Sequence, residues 1–339
     1  MRYVLLLVTL LLSSCGSKQQ ELRIYTWADY IKPELVERFE KEHNCRVVVD
    51  TFDSNESMFA KLHLGAGGYD IIVPSNYFLE IMQKNDMLQP INKEALPNVQ
   101  YMSPSIHKLV DKEVMRYGVA YMMTPTGLAW RKDKLTGFDA SWSIFSLKSL
   151  KGRMTMLNDP REAIGAALKM LGYSVNTTNS KELNRAKRQL IAWKSQLAKF
   201  ESEQYKNGIA SGEYIVVQGY SGDILQVMQE NEAVDFALPK EGTTTSIDFL
   251  VIPKDSEKVS LAHEFINFLY DPEIAATNMN FTCYLCPNVE ALKLIEPRLK
   301  AVFGQFLEDE TLQKIELIKD VGPYSSLYNR VWDEVKAAK

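Results

Sequence analysis

Apolar and polar positions alternate over Glu21-Leu22-Arg23-Ile24-Tyr25, the pattern of a strand with one buried face. A turn, Trp27-Ala28-Asp29-Tyr30, follows. The period then changes. Pro33 stands where a helix can begin, and Leu35, Val36 and Phe39 share one side of it. Arg46-Val47-Val48-Val49 predicts a second strand. Ser54-Asn55 offers a cap for a helix that buries Met58, Phe59 and Leu62 and stops at Gly65-Ala66-Gly67-Gly68. Asp70-Ile71-Ile72-Val73 predicts a third strand, buried on both faces and ending at Pro74-Ser75.

This strand-helix alternation predicts a mostly parallel sheet with helices on both faces. In such sheets ligands sit beyond the carboxyl ends of the strands. The turns after the first and third strands both fall there. The middle of the chain alternates in the same way, with a strand over Arg153–Leu157, a helix from Asp159 to about Leu171, a long helix over Asn184–Phe200 and a strand over Tyr214–Gln218. A helix over Ser221–Gln229 and a strand over Val234–Leu238 complete a second α/β unit. Asp248–Pro253 predicts another strand and Leu261–Tyr270 a helix. A last amphipathic helix aligns Leu327, Val331 and Val335.

The amino terminus has a different pattern. Arg2 is followed by an almost wholly apolar run through Leu12, then Ser13-Ser14-Cys15-Gly16. One basic residue, a short apolar run and small residues before a cysteine predict a secretory signal of the lipoprotein kind over residues 1–14. Cys15 is then the lipidated residue and 15–20 a linker. The run is about half the roughly twenty residues a membrane-spanning helix needs. The remainder of the 339 residues suits two lobes of ordinary domain size. The formal net charge is −4, and losing Arg2 with the leader makes it one unit more negative. That balance argues against nucleic acid as a partner. Besides Cys15 there are Cys45, Cys283 and Cys286, which is not a disulfide framework. Cys283-Tyr284-Leu285-Cys286 has redox or half-zinc spacing, yet no further metal ligands stand at readable spacing. Incidental thiols, a local disulfide and a redox pair all remain open.

Carboxylates and aromatics gather at the predicted strand ends. Asp29 lies beside Trp27 and Tyr30, Asp159 and Glu162 open a helix, Asp223 follows Tyr220, and Asp248 starts a strand. A small cation with apolar segments needs this mixture. Carboxylates pair with each ammonium, and aromatic faces attract the charge by about 0.5–2 kcal/mol each. Each residue also has a plainer reading. Asp159 and Glu162 have the spacing of a capping box, and a helix amino terminus repels a cation. Asp29 suits a turn, Trp27 and Tyr77 a core, Asp223 a cap, and Asp248 a solvated strand end. Nothing resembles a catalytic constellation, so no enzyme, cofactor or metal is expected.

At these residues a family likeness emerges. Tyr25-Thr26-Trp27-Ala28-Asp29-Tyr30, Ser54-Asn55-Glu56-Ser57-Met58, Tyr69-Asp70-Ile71-Ile72-Val73-Pro74-Ser75, Asp159-Pro160-Arg161-Glu162, Leu171-Gly172-Tyr173-Ser174, Pro239-Lys240-Glu241-Gly242 and Asp320-Val321-Gly322 occur in order along the chain. It resembles the spermidine/putrescine-binding lipoproteins of polyamine ABC transporters. The resemblance implies the two-lobed periplasmic-binding-protein fold of type II, each lobe a mostly parallel sheet flanked by helices, with polyamine held in a cleft between lobes. One lobe is expected over 21–126 with 248–292, the other over 127–247 with 293–339. The implied ligand-binding residues are Trp27, Asp29, Tyr30, Ser75, Tyr77, Asp159, Glu162, Tyr220, Asp223, Ser246, Asp248 and Tyr284. Tyr220 and Ser246 stand where the family commonly has larger aromatics.

The expected protein is a monomeric receptor on the periplasmic or outer side of a bacterial membrane, anchored in the lipid bilayer through acylated Cys15. It would bind spermidine or putrescine and deliver it to an ABC permease. The rivals are a binding protein of the same fold for another solute, a thiol oxidoreductase using Cys283 and Cys286, and an adhesin that borrows the fold.

Overall fold

A computed structural model describes residues 19–65, 67–306 and 308–338. The leader, Cys15 and the linker as far as residue 18 lie outside the described residues. The chain opens with β1 (Gln20–Trp27), α1 (Pro33–His43), β2 (Cys45–Phe52), α2 (Asn55–His63), β3 (Ile71–Ile72) and α3 (Asn76–Lys84). Pro33 occupies the first turn of α1, and Asn44 ends it in the left-handed region at φ 48°. Ser54 caps α2, its Oγ accepting from Ser57 N at 3.2 Å. β1 pairs in parallel with β2 and β3, as the alternating pattern predicts.

The chain continues through α4 (Ile106–Leu109), β4 (Gly118–Arg131), β5 (Met154–Met156), α5 (Pro160–Met170), α6 (Ser180–Lys194) and β6 (Lys199–Phe200). Then come α7 (Tyr205–Ser211), β7 (Val216–Tyr220), α8 (Ser221–Glu230), β8 (Val234–Ala237) and β9 (Thr243–Val251). It ends with α9 (Val259–Leu269), α10 (Pro272–Thr282), α11 (Pro297–Phe306), α12 (Asp309–Lys314), β10 (Ile315–Leu317) and α13 (Ser325–Ala337). Among the described residues no helix is long and apolar enough to cross a membrane.

The strand order is β2-β1-β3-β9-β4-β7-β5-β6, with β10 on β9 and β8 on β4. The outer strands are parallel, as are β5–β7 and β9–β10, while β4 runs antiparallel to β9, β7 and β8. This is the two-lobed α/β arrangement. β4 belongs to both sheets: Gly118–Pro125 pairs with β9, and Thr126–Trp130 pairs with β7. Two apolar cores fill the fold. The larger lies under the first sheet and extends to α7, α8 and α11. The smaller holds Trp142, Phe145, Trp193, Tyr328 and Trp332 beneath α5, α6 and α13.

Three elements differ from the sequence expectation. The long helix runs Ser180–Lys194, not Asn184–Phe200. Asn179 caps it by accepting from Lys181 N at 2.9 Å, and Lys199–Phe200 instead pairs with β5. β7 starts two residues later than expected, at Val216. β9 starts at Thr243, so Asp248 lies within the strand rather than at its start, and it is only 3% exposed. The solvated-end reading of Asp248 is therefore wrong.

Candidate ligand-binding site

Both sheets contribute to one cavity of about 500 Å³. All twelve residues expected at the site line it. β1 and the turn after it supply Trp27, Asp29 and Tyr30, and α3 begins with Ser75 and Tyr77 at its edge. β9 supplies Ser246 and Asp248. Tyr284, after α10, belongs to this side too, its neighbour Leu285 bridging Met123 of β4; from the other side come Asp159 and Glu162 at the start of α5 and Tyr220 and Asp223 around the start of α8.

Asp248 is the most enclosed anion. It accepts from Tyr30 Oη and from Ser75 Oγ, each at 2.6 Å. Asn55 orients this group, donating to Ser75 Oγ at 3.0 Å and to Tyr77 Oη at 3.1 Å, and accepting from Ser75 N at 3.0 Å. Burial pushes the Asp248 carboxyl up to about 6, against the opposing pull of its two hydroxyl donors.

The capping-box reading of α5 is half right. Asp159 caps the helix, its Oδ1 accepting from Arg161 N at 2.8 Å and Glu162 N at 3.0 Å. Glu162 does not reach back. Its Oε2 accepts from Thr126 Oγ1 at 2.9 Å and from Thr244 Oγ1, which ties α5 to the point where β4 changes sheets. Burial, then the neighbouring Asp159, raises the Glu162 carboxyl to about 8. Burial also raises Asp159. The cap takes up two of the helix's free N–H groups, which lessens the repulsion of a cation there.

Asp223 is not a cap. α8 already begins at Ser221, and the carboxylate accepts from Tyr205 Oη at 2.6 Å and Tyr284 Oη at 3.0 Å. Lys206 Nζ lies 3.4 Å away. Tyr284 packs flat against Gly222, where an added Cβ would meet its ring at 2.6 Å. Gly222→Ala is therefore expected to displace Tyr284 from Asp223 and lower unfolding stability by about 1–3 kcal/mol, read from urea melts. An unchanged midpoint would contradict this packing.

The rings form a wall. Trp27 packs against Phe52 with centroids 4.5 Å apart, and Tyr30 lies 5.2 Å from Tyr284. Trp27 is half-buried rather than a core residue, and its Nε1 has no hydrogen-bond partner among the described residues; nor has Thr124 Oγ1 in the same lining. Asp29 sits exposed at the rim in the left-handed region, φ 57°. It is a turn residue and a lining residue at once.

Among the described residues eight carboxylates line the cavity, and two cations, Arg161 and Lys206. Arg161 is engaged elsewhere: it donates to Lys319 O at 2.9 Å and Asn176 Oδ1 at 2.8 Å and lies over the Tyr328 ring. Arg131 is held by Asp133, and Arg153 by backbone carbonyls of Gly212 and Glu213. Among the described residues, none of these three arginines is thus offered to a ligand carboxylate. Sequence pattern does not single out Asn55, Thr126, Thr244, Tyr205 or Lys206 as site residues. Asn55 is the most accessible of them, since it sits in the helix-capping pair Ser54-Asn55.

The thiol reading fails on chemistry. Cys283 and Cys286 are buried free thiols, and burial pushes both up to about 12. A reactive cysteine needs the opposite shift. Among the described residues no group of three or more His, Cys, Asp or Glu is arranged to hold a metal ion.

An acid-lined, aromatic-walled cavity between two sheets is suited to holding a solute. The chain belongs to the bacterial extracellular solute-binding protein family, whose model matches residues 34–300. It is 34% identical to the putrescine/cadaverine-binding protein of Pseudomonas aeruginosa, over 99% of each chain. It is 32% identical to the spermidine/putrescine-binding periplasmic protein of Escherichia coli, over 94% of this chain and 92% of that one. Its structure resembles that of the Tp0655 (TpPotD) lipoprotein of Treponema pallidum, with a TM-score of 0.85, 34% identity, and coverage of 93% of this chain and 99% of that one. The family is extracytoplasmic and binds solutes rather than transforming them.

Proposed function

We propose that this chain is a lipid-anchored extracytoplasmic receptor that closes around a polyamine, spermidine or putrescine, and delivers it to an ABC permease. The charge of the cavity carries the reading: eight carboxylates, aromatic rings between them, and both cations already paired or turned aside. Enclosed carboxylates without counter-ions are costly. A slender chain with an ammonium at each end neutralises several of them, while its methylenes lie against the rings. The names of the relatives support the same solute class.

In this reading the lobes comprise 21–126 with 248–292 and 127–247 with 293–339, and they close by a hinge motion. The change of β4 partners between Pro125 and Thr126 supports the first crossing point. Acylated Cys15 holds a single copy at the membrane surface beside its permease.

Protein purified without added ligand is expected to carry a mass equal to putrescine or spermidine in native mass spectrometry. Titration with both amines then gives affinity. Binding of neither amine would end the reading. In cells, Cys15→Ala is expected to move the protein from the membrane fraction to the soluble fraction, and persistence in the membrane would refute the lipid anchor.

A further inference from the structure

The cavity has three acidic stations. Asp248 is held by Tyr30 and Ser75. Asp159 and Glu162 stand together at the start of α5. Asp223 is held by Tyr205 and Tyr284. Among the described residues only the third has a cation within ion-pairing distance; Arg161 lies near the second and favours its anions, but its guanidinium is bonded to Lys319 O and Asn176 Oδ1 instead. Lys206 Nζ lies 3.4 Å from Asp223 Oδ1 and 3.5 Å from Gln226 Oε1. Gln226 is fixed in turn, since its Nε2 donates to Thr282 O at 2.8 Å. The backbone of Lys206 is fixed as well, because its neighbour Tyr205 donates to the same carboxylate at 2.6 Å. The two charged groups are mostly enclosed, with side chains 32% and 17% exposed.

We propose that Lys206 acts as a tethered ammonium group that fills the Asp223 station, so that the site selects a diamine over a triamine. This rests on the polyamine reading above and deepens it. A diamine brings two ammonium groups to the two stations left open. A triamine brings a third, which meets the lysine charge at Asp223 and must either suffer that repulsion or evict the side chain from its two acceptors. Eviction breaks a charge-assisted contact in order to form another, so the third ammonium gains little.

The test is calorimetric titration of putrescine and spermidine into the wild-type chain and the variants Lys206→Met, Lys206→Arg and Lys254→Met. Lys254 lines no part of this cavity and controls for net charge. The wild type is expected to bind putrescine more tightly than spermidine. Lys206→Met is expected to raise the spermidine-to-putrescine affinity ratio about tenfold or more, the effect of one charge-assisted contact. Lys206→Arg should restore the wild-type preference, and Lys254→Met should not move the ratio. A wild-type preference for spermidine, an unmoved ratio in Lys206→Met, or equal tightening of both amines would overturn the proposal while leaving the polyamine reading intact. Binding of neither amine to the wild type would overturn both.

Discussion

Asp248→Asn is expected to weaken binding of putrescine by ~1–3 kcal/mol, about 5- to 150-fold, and to leave the unliganded protein at least as stable near neutral pH. The two halves of this expectation have one cause. Asp248 is 3% exposed, and among the described residues its carboxylate is met by two neutral hydroxyl groups. As a carboxylate in the empty protein it is enclosed without a counter-ion. The asparagine keeps the shape and an oxygen that accepts from Tyr30 and Ser75, but it offers no charge to an ammonium group. Titration calorimetry reads the first effect and urea melts of the ligand-free protein the second. Undiminished affinity would remove Asp248 from the binding site. A large loss of stability would mean that its charge supports the fold instead.

Acidification has the second large effect, and its sign differs between the two measurements. Burial pushes Asp248 up to about 6, and burial together with the neighbouring Asp159 pushes Glu162 up to about 8. In the proposed reading the ammonium groups of the ligand pair with both as anions. Affinity is therefore expected to fall on going from about pH 8 to about pH 5, by up to tenfold per pH unit for each carboxylate that must shed a proton. The ligand-free protein behaves oppositely. Both carboxyls bind protons more tightly when folded than when unfolded, where carboxyls titrate near 4. These two groups therefore add stability as pH falls through their folded values, and the gain levels off below the unfolded ones. Calorimetric affinities and melting temperatures across this window check the pair. An affinity independent of pH would show that neither carboxylate contacts the ligand. In Asp248→Asn the affinity profile should lose its component near pH 6 and keep that near pH 8.

Most of the fold follows from local pattern. β1 and α1 announce themselves because one face of each is buried and the other wet, and Pro33 and Ser54 mark helix starts by simple capping chemistry. β4 is not readable in this way. Its first twelve residues are buried on both faces, which erases the two-residue period, and Pro125 and Gly127 within it look like chain breakers. α7 escapes the pattern because Tyr205–Ser211 is short and carries Gly208, whose lack of a side chain makes room for the Tyr214 ring.

The site divides the same way. Trp27, Asp159 and Tyr220 are readable because they stand at strand ends, where the sheet aims them at one opening. Asp248 is expected in the right region for the wrong reason: it projects from the middle of β9, and the family pattern rather than periodicity singles it out. Lys206 and Glu162's threonine partners depend on which elements meet across the fold. Such meetings involve residues separated by tens of positions, as in Thr126–Glu162 and Glu162–Thr244, and no local pattern encodes them.

β4 has a consequence for how the molecule holds together. Because a single strand donates to both sheets, cutting the chain there would leave each half with an unprotected edge, a template for aggregation rather than an independent unit. The two sheets thus depend on one another through this one strand. Pro125, which has no N–H to contribute, sits next to the change of partners, so bending at that point sacrifices no donor of its own.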